Sequence, residues 1–239
     1  MNPQEKVGCP GGRAAVQGTR FPADIAPLPL QDSILAGLPA GMHGQNRPNP
    51  TGHSGVGYGV TMETITSRTN PLITHIRKLT VSRKTRRSQG LMVCEGPKML
   101  GEALRWGATL DTILWEAGAA PVEGIPPTVR QVTVPGDLLR SVAPTQTPQQ
   151  VLFLCALPDH ALPAKLSGSR YLVLDNLQDP GNLGTLWRTA DAFGADGLIL
   201  LPGCADPWGP KTLRATMGAC FRLPVWEGTL EELLPRLQA

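Results

Sequence analysis

The sequence lacks several features that would assign the chain to a class at once. It has no uninterrupted run of about 20 apolar residues, which is the length that a membrane-spanning helix needs. It has five cysteines, none of them in a CxxC pair, and its four histidines lack the spacing of metal ligands. We therefore expect no membrane segment, no metal site and no disulfide framework. Free thiols are typical of a reducing compartment, which favours a cytoplasmic location.

A strong net charge is absent as well. The formal net charge is +3 and the sequence pI is about 8.7, which is too mildly basic to indicate nucleic-acid binding. The distribution is more informative, because no acidic residue occurs between positions 64 and 93. The basic residues of that segment are Arg68, Arg77, Lys78, Arg83, Lys84, Arg86 and Arg87. Such a run suits RNA phosphates and argues against a purely structural protein, although a solvated helix face is the alternative.

Residues 1–61 differ from the rest of the chain. They are crowded with Gly and Pro and have no sustained hydrophobic periodicity. Such a segment buries too little apolar surface to offset its ordering entropy, so we expect a disordered tail. The alternative is a mis-assigned start, with Met62 as the true first residue.

The remaining sequence predicts an α/β fold in two parts. Residues 62–157 read as a small α/β/α domain that begins with a helix at 71–79, capped by Asn70. The predicted strands lie at 91–94, 112–115, 131–134 and 151–155, with helices at 97–106 and 136–142. Residues 158–169 contain prolines and a glycine and form the expected linker. The second domain spans 170–239, with later helices at 211–217 and 229–237 around a strand at 221–225.

A strand–turn–helix–strand unit opens the second domain. Apolar runs at 171–174 and 197–201 flank a turn that contains Asp179, Pro180, Gly181 and Gly184. This order predicts a parallel βαβ unit, and ligands bind at the turns that follow such strands. In the helix, Asn182 is the predicted N-cap, and the predicted buried face is Leu183, Leu186, Trp187, Ala190 and Phe193. The plainer interpretation is that Asp179 and Asn182 only cap the helix and that Arg188 pairs with a surface acid.

A second set of residues makes the pattern specific. Asp206-Pro207-Trp208-Gly209-Pro210-Lys211 follows the next strand, and Leu213-Arg214-Ala215-Thr216-Met217-Gly218-Ala219 comes directly after it. Together with the turn at Asp179 and the Arg188-Thr189-Ala190 step, this ordered set resembles the first half of a SpoU/TrmH-type RNA methyltransferase domain. Residues 64–104 resemble that family's N-terminal substrate-binding domain.

The resemblance implies a function and roles for particular residues. Family members of this layout transfer a methyl group from S-adenosylmethionine to a ribose 2′-hydroxyl, use a trefoil-knot (SPOUT-type) domain and form homodimers. The resemblance implies that Arg188 is catalytic, that Asn182 orients Arg188 or the ribose, and that Asp179, Pro180, Gly181 and Gly184 shape the turn. Lys211 and Arg214 are candidates for RNA contact, with helix C-terminal charges or a dimer contact as the alternative. The separate N-terminal domain favours ribosomal RNA over transfer RNA as the substrate.

The sequence departs from the family at its end, because the motifs that supply most of the cofactor pocket are not found before Ala239. We therefore expect an incomplete methyltransferase domain, with weak or absent cofactor binding and no activity in this chain as given. A non-catalytic RNA-binding module is the alternative. A dinucleotide-binding enzyme is disfavoured, because Gly181 and Gly184 do not form the GxGxxG pattern.

Overall fold

The computed structural model describes residues 62–120 and 122–238. The disordered tail predicted for residues 1–61 lies outside the described residues. Among the described residues, no helix combines the length and the apolar character that crossing a membrane requires.

The first part of the fold is a five-stranded sheet with helices on its faces. Its elements are β1 (Glu63–Thr64), α1 (Pro71–Val81), α2 (Arg83–Gln89), β2 (Leu91–Glu95), α3 (Pro97–Arg105), β3 (Leu110–Glu116), β4 (Arg130–Val134), α4 (Gly136–Arg140) and β5 (Val151–Ala156). The strand order is β1-β4-β3-β5-β2, in which β1, β4 and β3 are parallel and β5 is antiparallel to both of its neighbours. The predicted N-cap is confirmed, because the side chain of Asn70 accepts a hydrogen bond from the backbone N–H of Leu72.

Both faces of this sheet are buried, which explains the continuous apolar runs of its strands. Along β5, Leu152 and Leu154 face a cluster that includes Ile73 and Ile76 of α1. The alternate residues Val151, Phe153 and Cys155 belong to a cluster on the opposite face. The period of two in the strands therefore separates two apolar layers.

The second part is a three-stranded parallel sheet. Its elements are β6 (Tyr171–Leu174), α5 (Pro180–Ala192), β7 (Gly197–Leu200), α6 (Pro210–Thr216), a 3₁₀ turn (Ala219–Phe221), β8 (Val225–Glu227) and α7 (Leu230–Leu237). The strand order is β6-β7-β8, so the predicted βαβ unit is confirmed. The trefoil knot implied by the resemblance stays a prediction.

The strand predicted at 221–225 is wrong. The backbone instead forms local hydrogen bonds, from the N–H of Phe221 to the carbonyl of Gly218 and from the N–H of Arg222 to the carbonyl of Ala219. The carbonyl of Leu223 accepts a hydrogen bond from the Trp187 indole at 3.0 Å. Leu223 and Phe221 pack in the cluster that contains Leu183 and Trp187 of α5, and the strand begins only at Val225.

One hydrophobic cluster joins the two parts. It contains Met92, Cys94 and Phe153 from the first sheet together with Trp187 and Leu213 from the helices of the second part, among other residues. The small second sheet is therefore covered on its α5–α6 side by the first part.

Three buried thiols lie in that shared cluster. The sulfur atoms of Cys94 and Cys155 are 3.9 Å apart, and Cys220 belongs to the same cluster from the second part. The contact with Cys155, together with burial, raises the pKa of Cys94 well above its usual value. Burial raises the pKa of Cys220 to about 12. The four described cysteines are all free, and these three pack as small apolar side chains.

Candidate functional site

The turn after β6 is fixed by Asp179. Its carboxylate accepts a hydrogen bond of 2.7 Å from the backbone N–H of Asn182, so Asp179 is the N-cap of α5 and the predicted cap at Asn182 is wrong. Pro180 then occupies the first helical position, where no backbone donor is needed. This hydrogen bond, assisted by Lys211, lowers the pKa of Asp179 below its usual value.

Close packing of α5 on α6 sets the position of Arg188. A Cβ atom added at Gly184 would lie 2.5 Å from both the carbonyl oxygen of Thr212 and the Cβ of Ala215, so only glycine allows this approach. Arg188 lies one helical turn after Gly184, on the flank of α5 nearest α6. Its side chain is exposed and has no hydrogen-bond or ion-pair partner among the described residues.

The same helix corrects two sequence predictions. Phe193 does not belong to the buried face, because it is 79% exposed at the C-cap of α5, whereas Leu183 and Trp187 are fully buried. Asn182 lies about 120° around the helix from Arg188, and no hydrogen bond joins their side chains. Asn182 therefore does not contact Arg188 in this structure. Its exposed amide lies at the start of the helix, and its orientation of the ribose stays a prediction.

Lys211 and Arg214 form an exposed cationic edge on α6. The Lys211 ammonium lies 3.7 Å from the Asp179 carboxylate, with both side chains largely exposed. Arg214 is exposed one turn later and has no ion-pair partner among the described residues. Lys211 is at the beginning of α6, so it is not the helix C-terminal charge considered as an alternative, whereas Arg214 is in the last turn.

The basic run of the first part behaves differently, and Arg86 is the clearest correction. It is only 5% exposed, and its guanidinium donates hydrogen bonds to the carbonyls of Leu79 and Thr80 and to the Asp206 carboxylate at 2.6 Å. Its charge is neutralised by Asp206 inside the protein, so Arg86 is not available to RNA. The sequence missed this role because the acid that pairs with Arg86 lies 120 residues away.

Two further arginines of α2 are also paired across the two parts. Arg83 and Arg87 donate to the Glu227 carboxylate at 2.9 and 2.5 Å, and Arg83 also lies 3.8 Å from Asp206. Arg83 is about half exposed and Arg87 about a third, so their predicted RNA contact is opposed by existing partners. Arg68 pairs with Asp137 at 2.9 Å on the surface. The remaining predicted contacts, Arg77, Lys78 and Lys84, are exposed without an ion-pair partner among the described residues.

Arg222 is a residue whose role the sequence analysis missed. It donates to Asp191 of α5 at 2.7 and 2.9 Å and also pairs with Glu102 of α3 in the first part. The pairing with Asp191 raises the pKa of Arg222. The guanidinium lies 6.0 Å from the centre of the Trp106 ring. Arg86 and Arg222 thus connect the two parts through separate ion pairs.

A groove lies at the carboxyl ends of the parallel strands β7 and β8. It is lined by Leu200, Leu201, Pro202, Gly203, Gly228 and Thr229, with Arg83 and Glu227 at its edge. Gly203 has φ of 86°, and a Cβ atom there would run into the side chain of Asn176. Open α/β sheets bind ligands at this edge. Among the described residues, no group of His, Cys, Asp and Glu is arranged to hold a metal ion.

Comparison with known proteins shows which family has this sequence pattern. A model of the SpoU rRNA Methylase family matches residues 169–239, and a model of the MRM3-like substrate binding domain matches residues 70–152. The chain is 32% identical over 178 residues to the 23S rRNA (guanosine(2553)-2′-O)-methyltransferase RlmP of Bacillus subtilis, covering 74% of this chain and 70% of that protein. The chain belongs to the SpoU rRNA methylase family.

Other relatives match over smaller fractions of their length. The mitochondrial rRNA methyltransferase 3 of Homo sapiens is 34% identical over 178 residues, which cover 68% of this chain. The chain spans 42% of that human protein and 36% of its Xenopus laevis counterpart.

Solved structures support the same fold. An rRNA methyltransferase from Sinorhizobium meliloti superimposes with a TM-score of 0.64 at 29% identity, covering 74% of this chain and 70% of that one. The AdoMet-bound form of that methyltransferase gives a TM-score of 0.62 at 28% identity, with 74% and 69% coverage. The α/β class with a parallel sheet predicted from the sequence is confirmed.

Proposed function

We propose that this protein transfers a methyl group from S-adenosylmethionine to a ribose 2′-hydroxyl of ribosomal RNA. Membership of the SpoU family and the printed activity of RlmP support the reaction class. The structural observation that supports the proposal is that Arg188, on the helix after the β6 turn, is exposed and has no ion-pair partner among the described residues. An arginine with internal partners, such as Arg86, has no charge to offer a substrate.

Arg188 acts by charge and geometry in this proposal, not as a base. A guanidinium has a pKa above about 12 and stays protonated, so it does not remove the hydroxyl proton. Its planar donors hold an adjacent phosphate bidentately and stabilise the 2′-oxygen as negative charge develops on it. The proton leaves to solvent as the new carbon–oxygen bond forms.

The residues at the carboxyl ends of β7 and β8 fit an adenosyl ligand. Pro202 supplies exposed apolar surface, and the exposed Gly203 leaves room for a ligand beside it. S-adenosylmethionine supplies a methyl group on a sulfonium, and the electrons of the broken carbon–sulfur bond stay with sulfur. The protein contributes by orienting the two reactants, because holding them in line removes much of the entropic part of the barrier.

Labelled methyl transfer to ribosomal RNA tests the proposal. Weak or absent cofactor binding and lack of activity in this chain as given stay predictions. Affinity for S-adenosylmethionine is therefore measured first by calorimetric titration, and where it binds, the assay is run near saturation. Label in RNA that resists alkaline cleavage at the modified nucleotide would support the proposed transfer and contradict the expected inactivity of this chain, since a methylated 2′-oxygen no longer attacks the neighbouring phosphate. Retention of RNA on a filter without any transferred label would instead support the non-catalytic RNA-binding module.

We also retain three finer expectations as part of the proposal. Ribosomal RNA is preferred to transfer RNA, which competition between the two in the transfer assay tests. A homodimer follows from the family resemblance and is checked by sedimentation. Free buried thiols suit the cytoplasm or another reducing compartment, and localisation of a tagged protein tests this expectation.

A further inference from the structure

A groove runs between the two parts, where the connection from β2 to α3 faces α6. It is distinct from the groove at the carboxyl ends of β7 and β8, because the two share no lining residue. Its lining combines two methionines, an amide and three charged groups, namely Met99, Met217, Gln149, Glu95, Lys98 and Arg214. Such a mixture of apolar surface and a few polar groups is typical of ligand sites.

The free charge of this groove is positive. Lys98 and Arg214 are exposed, and neither has an ion-pair partner among the described residues. The Glu95 carboxylate is already engaged, because it accepts the Thr145 hydroxyl at 2.8 and 3.0 Å and the backbone N–H of Gln149 at 3.1 Å. The acid therefore holds the loop that carries Gln149, while the two cations remain available to an anion.

The apolar surface is supplied chiefly by the two methionines. Met99 is buried in the shared cluster, whereas Met217 is 45% exposed. Met217 has φ of 52°, in the left-handed region that non-glycine residues seldom occupy. Thioether sulfur makes favourable contacts with aromatic rings, so these side chains suit the face of a nucleobase.

The groove is connected to the candidate catalytic turn by α6. Lys211 and Arg214 are three residues apart on one flank of the helix, and Met217 is its C-cap. Lys211 lies 3.7 Å from Asp179 at the turn, and Arg214 and Met217 lie in the groove. A cationic path therefore leads from the turn that precedes α5 to the boundary between the two parts.

We propose that this groove holds one unpaired nucleotide of the RNA substrate, with its base against Met99 and Met217 and its flanking phosphates on Lys98 and Arg214. Gln149 offers an amide donor and acceptor to the edge of that base. Protein recognition of RNA sequence mostly targets bases that are free of a helix, which a pocket with a charged rim accommodates. The inference rests on the proposed function for the choice of RNA as the ligand.

Binding measurements without S-adenosylmethionine test the groove independently of catalysis. The probes are a mixed-sequence RNA single strand of about 12 nucleotides and the blunt duplex of the same sequence. Met217→Ala is expected to weaken single-strand binding about two- to tenfold and leave duplex binding unchanged. Met217→Asn keeps a residue that tolerates the left-handed backbone, so it should give the same result if the alanine variant folds poorly.

Salt dependence tests the two cations. Lys98→Ala and Arg214→Ala should each reduce the slope of log affinity against log salt by about 0.7 for the single strand. Lys165→Ala is the matched control, because Lys165 is an exposed lysine of the connecting segment outside the groove, and its slope should equal that of the wild type.

Three results would overturn the inference. They are the absence of single-strand binding by the wild type, an equal loss for strand and duplex in both Met217 variants, and a Lys98→Ala slope equal to that of Lys165→Ala. Groove variants that behave as expected would support the inference even in a protein that transfers no methyl group, because binding is measured without S-adenosylmethionine. Methyl transfer together with groove variants that bind RNA like the wild type would reject the groove and leave the proposed function standing.

Discussion

The arginines of α2 and the cations of α5 and α6 have the same chemistry but different surroundings. Arg86 is buried against Asp206, and Arg83 and Arg87 share Glu227. Arg188 and Arg214 are exposed and have no ion-pair partner among the described residues. The arginines of α2 thus hold the two parts together, whereas Arg188 and Arg214 remain available to a substrate.

This difference teaches that the density of charge along the chain is a poor guide to where RNA binds. The acids that neutralise α2 follow β7 and lie in β8, more than a hundred residues later. Only the folded arrangement separates an arginine that is already paired from one that can still pair. Three variants test the comparison, in order of decreasing effect.

The largest expected effect is on stability. Arg86→Met should lower the free energy of unfolding by about 3–5 kcal/mol, because it leaves the largely buried Asp206 carboxylate without its closest partner. Denaturant titration measures the loss. Adding Asp206→Asn should recover part of it by removing the unpaired charge.

Arg77→Met is the matched control for Arg86, because Arg77 is exposed on α1 and has no ion-pair partner among the described residues. It should change the free energy of unfolding by less than about 0.5 kcal/mol. If Arg86→Met were as stable as the control and bound RNA more weakly, the division between structural and available arginines would be wrong.

The next effect is on catalysis. Arg188→Ala should reduce methyl transfer about 10²- to 10³-fold, the usual consequence of removing one donor to a developing oxyanion, while the melting temperature stays unchanged. Arg188→Lys should restore only part of the rate, since an ammonium lacks the bidentate fork. The Lys165→Ala variant provides the reference rate. Normal turnover by Arg188→Ala would remove the central residue of the proposed site.

The smallest effect concerns Asp179, which lies beside Lys211 of α6. The pKa of Asp179 is lowered in the folded state, so its ionised form stabilises the protein above its unfolded pKa of about 4, and this contribution disappears as pH falls through the folded value. The difference in melting temperature between wild type and Asp179→Ala should therefore shrink below about pH 4.

Glu123→Gln is the control for this pH series, because Glu123 is exposed and makes no hydrogen bond among the described residues. Its melting temperature should follow that of the wild type across the range. A difference for Asp179→Ala that stayed constant down to low pH would show that the cap does not depend on the charge.

Local sequence signals predicted most of the secondary structure. Asn70 followed by Pro71 marked the start of α1, and apolar runs marked β2 to β7 within one or two residues. The ordered motifs around Asp179 and Arg188 were sufficient to indicate the family. These features are encoded within a few residues of each other, so they can be read without knowing the tertiary contacts.

What the sequence could not reveal depends on contacts between distant segments. Phe193 follows the helical period but extends beyond the edge of the packed face, so it is exposed. Leu223 reads as strand but belongs to a turn packed on α5. The partners of Arg86 and Arg222 also come from the other part of the fold. Period and composition carry no information about which remote surface will be adjacent.

The buried thiols can report transient opening of the hydrophobic cluster that joins the two parts of the fold. Cys94 and Cys220 are held protonated, and alkylating reagents attack thiolates, so they should stay unmodified while the shared cluster remains closed. The rate at which these thiols are alkylated would then measure how often the shared cluster opens. Peptide mass distinguishes them from Cys9 and Cys204. That opening frequency can be compared with and without RNA, and no foreign probe has to be attached.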